Sequence, residues 1–279
     1  MTQPLFIIGN KRSGTSQLVR LLNLHPHIYV SHESDIGWIL YQYHNGRGFT
    51  AHAWDSDRGM RTTLELADNL LQADKSPKDN FLAVQTCLMK KGTPWQSPQE
   101  KTDLKWIGDK KPFQHTDSEL LAFLLKHFPD AHFLHIVRHP FHVVASSDRF
   151  NQTTSGDFWL GLSPAQKLER WTFHEQQVIK LREMLPKRLH TLRYEDLCRR
   201  TRRELSGVFS FLKVNNDAKI LREAACQTIL TATPVPPIPC SDETLRVAAI
   251  YGYDLRHPPG RIKITMQTWY WGLAKRLGA

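Results

Sequence analysis

The feature that most constrains this chain is a glycine-bounded turn set between an apolar strand and a helix near its beginning. Residues 4–9 (PLFIIG) form a short apolar run ending in Gly9, which suits a buried parallel strand. Gly9-Asn10-Lys11-Arg12-Ser13-Gly14-Thr15-Ser16 follows directly. From Ser16 to His25, the stretch SQLVRLLNLH places Leu18, Leu21 and Leu22 on one helical face, and Pro26 is expected to end that helix. Strand, glycine turn and helix in this order aim backbone N–H groups and a helix N-terminus at one point, where an anion can sit.

The same alternation recurs downstream. Ile28 to Ser31 reads as a second strand, and KWIGDK (105–110) as a third. A helix across Ser118 to Phe128, the strand HFLHIVR (132–138) and a helix from about Phe141 to Arg149 come next. A long helical pattern covers Ser163 to Leu185, and RLHTLRYEDL (188–197) reads as a strand turning into a helix over Arg202 to Leu212. Strands separated by helices predict one α/β domain over residues 1–279, a P-loop-type three-layer sandwich whose central, mainly parallel sheet is flanked by helices. Residues 42–100 read as polar and irregular apart from a helix from Thr62 to Leu71, within a substrate-facing insertion over about 36–104. Pro234, Pro236, Pro237 and Pro239 predict an extended loop opening an irregular C-terminal segment, about 232–279.

The formal charge of +10 calls for an anionic partner but does not choose among nucleic acid, acidic membrane and a polyphosphate ligand. The densest basic cluster, Arg199, Arg200, Arg202 and Arg203, reads as a solvated helix start, with an anion contact as the alternative. Cys87, Cys198, Cys226 and Cys240 have no C-x-x-C spacing and read as structural thiols of a reducing compartment. No secretion signal and no bilayer-length apolar run is present, so a soluble cytoplasmic protein is expected.

The Gly9-to-Gly14 spacing matches the ATP-binding P-loop, but the residue after the second glycine is Thr15 where that loop needs Lys. The positive charges stand earlier, at Lys11 and Arg12. Cations there can lie against a leaving phosphate and a transferring group without the Lys–Mg²⁺ arrangement. Asp109, at a strand end, is the one residue placed to act as a Mg²⁺-binding acid.

These residues resemble the sulfotransferases that use 3′-phosphoadenosine-5′-phosphosulfate (PAPS), most closely the tyrosylprotein and related bacterial branch. Lys11-Arg12-Ser13-Gly14-Thr15-Ser16 is similar to that family's 5′-phosphosulfate loop, usually Pro-Arg-Ser-Gly-Thr-Thr, and His25-Pro26 matches in register. IVRHPFHVVASS carries Arg138 at a strand end and Ser146 eight positions on, the pair that in the family holds the 3′-phosphate. A guanidinium clamps phosphate with two parallel hydrogen bonds and a hydroxyl adds another donor. Asp109-Lys110-Lys111-Pro112-Phe113 is similar to the branch's Asn-Lys-Asp-Pro-Phe, which puts Lys110 on the lysine that supports the transferring group and puts Lys111 where the branch has an acid. Arg193-Tyr194-Glu195-Asp196-Leu197 resembles another family segment and implies that Tyr194 lies beside the nucleotide.

The resemblance therefore implies an enzyme moving a sulfuryl group from PAPS to an acceptor hydroxyl, releasing adenosine 3′,5′-bisphosphate (PAP), with no metal. Lys11, Arg12, Ser13, Gly14, Thr15, Ser16, Arg138, Ser146 and Tyr194 would hold the donor, and Arg12 and Lys110 would stabilise the sulfuryl oxygens. An alignment without a gap from Arg12 puts Glu33 on the branch's base; His32 and His115 are its rivals. Strand alternation places His32 and Glu33 on opposite faces. The branch has Arg two positions after its glutamate where this chain has Asp35, which argues against an acidic peptide acceptor. The acceptor class stays open. The competing readings are a Mg²⁺-dependent P-loop nucleotide kinase and a non-catalytic basic binder of anions or membranes. Nucleic acid is not expected. A peripheral membrane contact through TWYWGLAKRLGA, with Trp269, Tyr270, Trp271, Lys275 and Arg276, is weighed against a C-terminal helix packed on the domain.

Overall fold

The computed structural model describes residues 2–48, 58–151, 159–228 and 235–256. Its frame is a five-stranded sheet in the order β2-β3-β1-β4-β5, with every pairing parallel. The strands are β1 (Gln3–Ile8), β2 (Ile28–His32), β3 (Trp106–Lys110), β4 (His132–Val137) and β5 (Leu189–Arg193). Side-chain alternation splits their apolar residues between two cores. Phe6, Ile8, Tyr29, Ile107 and Phe133 face one side. There they meet α2 (Ile36–His44), α4 (Pro77–Lys91), α5 (Ser118–His127) and α7 (Pro164–Met184). Leu5, Ile7, Ile28, Val30, Leu134 and Ile136 face the other side. They meet α1 (Thr15–Leu22), α8 (Tyr194–Arg199), α9 (Thr201–Phe211) and Ala224 of α10 (Ala218–Gln227). This is the three-layer α/β sandwich that the strand–helix alternation requires. Between β3 and β1 the backbones are so close that a Cβ at Gly108 would lie 2.1 Å from the Leu5 carbonyl oxygen.

Several expectations are corrected. The stretch 42–100 is not largely irregular, because α3 (Arg58–Leu70) is followed by α4. Ser76 caps α4 through the Asp79 N–H, Pro77 opens it, and Phe81, Val84 and Leu88 bury one helical face. The first helix stops at Leu22, before Pro26, because the Asn23 side chain exchanges two hydrogen bonds with the backbone of Val30, 2.8 and 2.9 Å long. RLHTLRYEDL is strand only to Arg193, after which Tyr194 already begins α8. The C-terminal segment carries α11 (Asp242–Ile250), capped by Ser241, after a prolyl stretch that has no regular secondary structure where described. The four arginines from 199 to 203 are exposed around the start of α9, as a solvated helix start requires. The aromatic-basic C-terminal stretch lies outside the described residues.

Candidate active site

Every strand ends at the same edge of the sheet, and every strand end delivers site residues there. After β1 comes the turn from Gly9 to Gly14, and after β2 come His32 and Glu33. Lys110 closes β3, Arg138 follows β4, and Tyr194 follows β5. In an open parallel sheet this edge is where ligands bind, at the crevice where the strand order runs both ways from β1.

The turn itself is bent into a cradle by Gly9 (φ +149), Arg12 (φ +70) and Gly14 (φ +96). A Cβ on Gly14 would meet the Tyr194 ring at 2.3 Å, so glycine is required there by both backbone angle and space. The Ser13 hydroxyl is buried without a hydrogen-bond partner among the described residues. A buried unpaired hydroxyl is costly, and an anion in the cradle would satisfy it.

Two clusters flank this cradle. At one end, Lys110 Nζ donates to Glu33 Oε1 at 2.5 Å and to Ser16 Oγ at 3.4 Å, and His32 Nε2 lies 2.8 Å from the same Ser16 oxygen. His32, through Ser16, and Glu33, through Lys110, therefore belong to one cluster, against the alternation expected of them. Glu33 leaves the strand at φ +53, which rotates its side chain out of the two-residue period. Gln96 holds the free edge of β2, accepting from His32 N–H and donating to the Val30 carbonyl, each at 2.8 Å. Burial pushes the Glu33 carboxyl up, but Lys110, His32 and Lys111 outweigh it and bring it to about 2. Burial lowers Lys110, against the pull of Glu33, and Lys11 opposes its charge further. Burial likewise takes His32 down to about 4, so its imidazole is neutral at pH 7.

At the other end, Arg12 Nε donates to Ser146 Oγ at 3.2 Å and its guanidinium lies 4.6 Å from the centre of the Phe150 ring. Arg138 donates to the Arg12 carbonyl at 2.9 Å and its guanidinium stacks 4.5 Å from the Tyr194 ring centre. Glu195 fixes the turn after β4 by accepting from His139 N–H at 3.0 Å and from the Tyr253 hydroxyl at 2.7 Å. The structure thus brings Arg12, Arg138, Ser146 and Tyr194 together, and Glu33, Ser16 and Lys110 together. Arg12 belongs to the first group, and Lys11 is the loop cation whose charge acts on Lys110.

Asp109 is fully buried, and its Oδ1 accepts from Ser31 Oγ (2.8 Å), Ser34 Oγ (2.9 Å) and Ser34 N–H (3.2 Å). Burial raises it to about 6 despite those hydrogen bonds. His115 is buried beside His174 and His135, apart from Ser16 and Lys110. Sequence reading missed Asn10, which donates to Glu175 Oε1 at 2.6 Å while its Oδ1 lies 2.6 Å from His174 Nδ1. The partners are 164 and 165 residues away, beyond any local signal.

Burial keeps His32 and His139 near 4 and His174 near 3, with His115 also well down. Each has a lowered pKa when folded, so unfolding takes up protons below about 6.5, and the stability they give is lost as pH falls toward 4. Asp109, raised to about 6, acts in the opposite sense but is one group against four. The melting temperature is therefore expected to fall steadily between pH 7 and 5 in a thermal scan series; a flat profile would contradict neutral burial of these rings.

A parallel sheet with a glycine-bent turn after its first strand and basic residues on both sides of it is a P-loop-type α/β arrangement able to receive an anion at its sheet edge. A family model described as the sulfotransferase family matches residues 4–218, and the chain belongs to that family. It is an enzyme of sulfuryl transfer. The sulfotransferase domain of the curacin biosynthetic pathway superposes with a TM-score of 0.59 at 18% identity, covering 93% of this chain and 99% of that one. The sulfotransferase domain of the Synechococcus PCC 7002 olefin synthase gives 0.55 at 21% identity, covering 91% and 96%. A sulfotransferase from Alicyclobacillus acidocaldarius gives 0.55 at 17% identity, covering 92% and 100%. No curated protein sequence matches the chain significantly. Among the described residues no helix is long and apolar enough to cross a membrane.

Proposed function

We propose that the sulfuryl group moves from PAPS to an acceptor hydroxyl, with Glu33 accepting the hydroxyl proton and PAP released. The observation that carries this is the linked set Glu33–Lys110–Ser16 at one end of the cradle, opposite Arg138–Arg12–Ser146 at the other. The donor supplies an activated sulfuryl group when bound. Arg138 and Ser146 would take its 3′-phosphate, with Tyr194 beside the nucleotide, and Lys11, Arg12, Ser13, Thr15, Ser16 and the amides of the turn would take its 5′-phosphosulfate. Lys110 would neutralise charge on the sulfuryl oxygens. The Glu33 carboxylate is ionised at neutral pH and ready to accept a proton, but Lys110 keeps it a weak base. Transfer of the Lys110 contact to anionic oxygens would remove the charge that depresses Glu33 and raise its basicity when the acceptor proton must leave.

His32 is a second reading for the base, favoured by its neutral imidazole beside Ser16. Thr15 in place of the Walker lysine supports transfer without a metal, and four cysteines with no C-x-x-C spacing support a reducing cytoplasmic location. The test is a mass-spectrometric screen of alcohols and phenols with PAPS, run with EDTA present. A product heavier by one sulfuryl group, about 80 daltons, with stoichiometric PAP is expected. Product formation only with added Mg²⁺, or ATP consumption instead, would overturn the reading.

A further inference from the structure

Three consecutive residues after β2 each grip one of three consecutive residues at the end of β3. Glu33 N–H donates to the Lys110 carbonyl at 2.9 Å, Ser34 binds Asp109, and Asp35 Oδ1 lies 3.3 Å from Lys111 Nζ. The last pair is buried, with side chains 3% and 11% exposed. Asp35 and Lys111 are the two positions already noted as departing from the tyrosylprotein pattern. The departures are opposite in sign and they touch, so each places a buried charge beside one of the opposite sign.

The turn they close is under strain. Glu33 (φ +53) and Asp35 (φ +57) both occupy the left-handed region, which a non-glycine residue keeps only when its surroundings impose it. Asp35 also stands at the start of α2, where an aspartate ordinarily caps the helix, yet its side chain makes no capping hydrogen bond. The carboxylate is given to Lys111 instead.

We propose that Asp35 and Lys111 are positioning residues whose ion pair clamps this turn so that the Glu33 carboxylate stays on Lys110. Their catalytic consequence rests on Glu33 being the base, but the clamp itself does not. The first test is carboxyl NMR of the full chain carrying ¹³C-labelled glutamate. In Asp35→Asn, asparagine still tolerates the left-handed backbone. Loss of a neighbouring negative charge by itself would lower Glu33 further, whereas a slackened Lys110 contact raises it. A rise of the Glu33 midpoint by about one unit or more, toward the ordinary glutamate value, is expected. An unchanged or lower midpoint overturns the clamp. Should that variant not fold, Asp35→Asn/Lys111→Gln removes both charges; because loss of Lys111 by itself raises Glu33, its readout is instead the exchange protection of the Lys110 ammonium, which is expected to be lost, and its retention overturns the clamp.

The second test is PAP release from PAPS, with the acceptor returned by the screen or with water. Asp35→Asn should lose about 10–100-fold in kcat, the scale of a misplaced catalytic group. In a Glu33→Gln background the same change should cost less than about twofold, because a residue acting through Glu33 has nothing left to position. Equal losses in both backgrounds would make Asp35 merely structural. Full turnover in Glu33→Gln would end the reading of Glu33 as base, while the NMR midpoint would still decide the clamp.

Discussion

Glu33→Gln is expected to lower kcat by about 10²–10⁴-fold, the usual contribution of a positioned general base. Glutamine keeps the size of the side chain and an oxygen to receive the Lys110 hydrogen bond, so that 2.5 Å contact can largely persist. What it cannot do is accept a proton. PAP affinity should change little, because the Glu33 side chain bonds to Lys110 and not to the residues assigned to the donor, of which Arg138, Arg12 and Ser146 lie at the other end of the cradle. A purely structural Glu33 predicts the reverse, a lower melting temperature with turnover per folded molecule nearly intact. Both quantities belong on one preparation. Near-normal turnover in a folded variant would send the assignment to His32, whose neutral ring is 2.8 Å from Ser16.

Arg138→Ala should weaken PAP binding about 10- to 150-fold, corresponding to the 1.5–3 kcal/mol of a charge-assisted contact. The guanidinium also carries the loop, through the Arg12 carbonyl, and stacks on Tyr194. Loss of affinity alone would therefore not identify the phosphate contact. Adenosine 5′-phosphate, which lacks the 3′-phosphate, supplies the control. Wild type should prefer PAP strongly by calorimetry, and the variant should lose that preference while retaining most of its affinity for the analogue. Equal binding of both ligands by wild type would remove Arg138 and Ser146 from the 3′-phosphate.

How much of the site could be read in advance varies with distance along the chain. Gly9 to Ser16 is a local motif, since the strand, the turn and the helix N-terminus are contiguous and their geometry is set by neighbours. Arg138 with Ser146 is local as well, one turn and two helical turns apart. The helix α4 was missed although Ser76, Pro77 and the spacing of Phe81, Val84 and Leu88 all signal it, because the polar residues between them dominate its composition. Glu33 was placed by resemblance, but its face was misjudged: period-two alternation holds only while the backbone stays extended, and Glu33 does not. Asn10 with Glu175, and Gln96 with the edge of β2, left no trace at all, since nothing in a sequence marks which distant side chains will meet.

The sequence by itself determined the strand–helix alternation, the anion cradle and the basic residues that belong to it, because short-range periodicity and turn chemistry act within a few residues. Only the tertiary structure decided how those residues divide. It set Arg12 beside Ser146, left Lys11 to act on Lys110, and turned two isolated oddities, Asp35 and Lys111, into one buried pair. The physical reason is that burial changes what a charge costs. An exposed Asp or Lys can stand anywhere, but one removed from water must find its partner, and the parallel order β2-β3-β1-β4-β5 fixes which strand ends lie close enough to provide it.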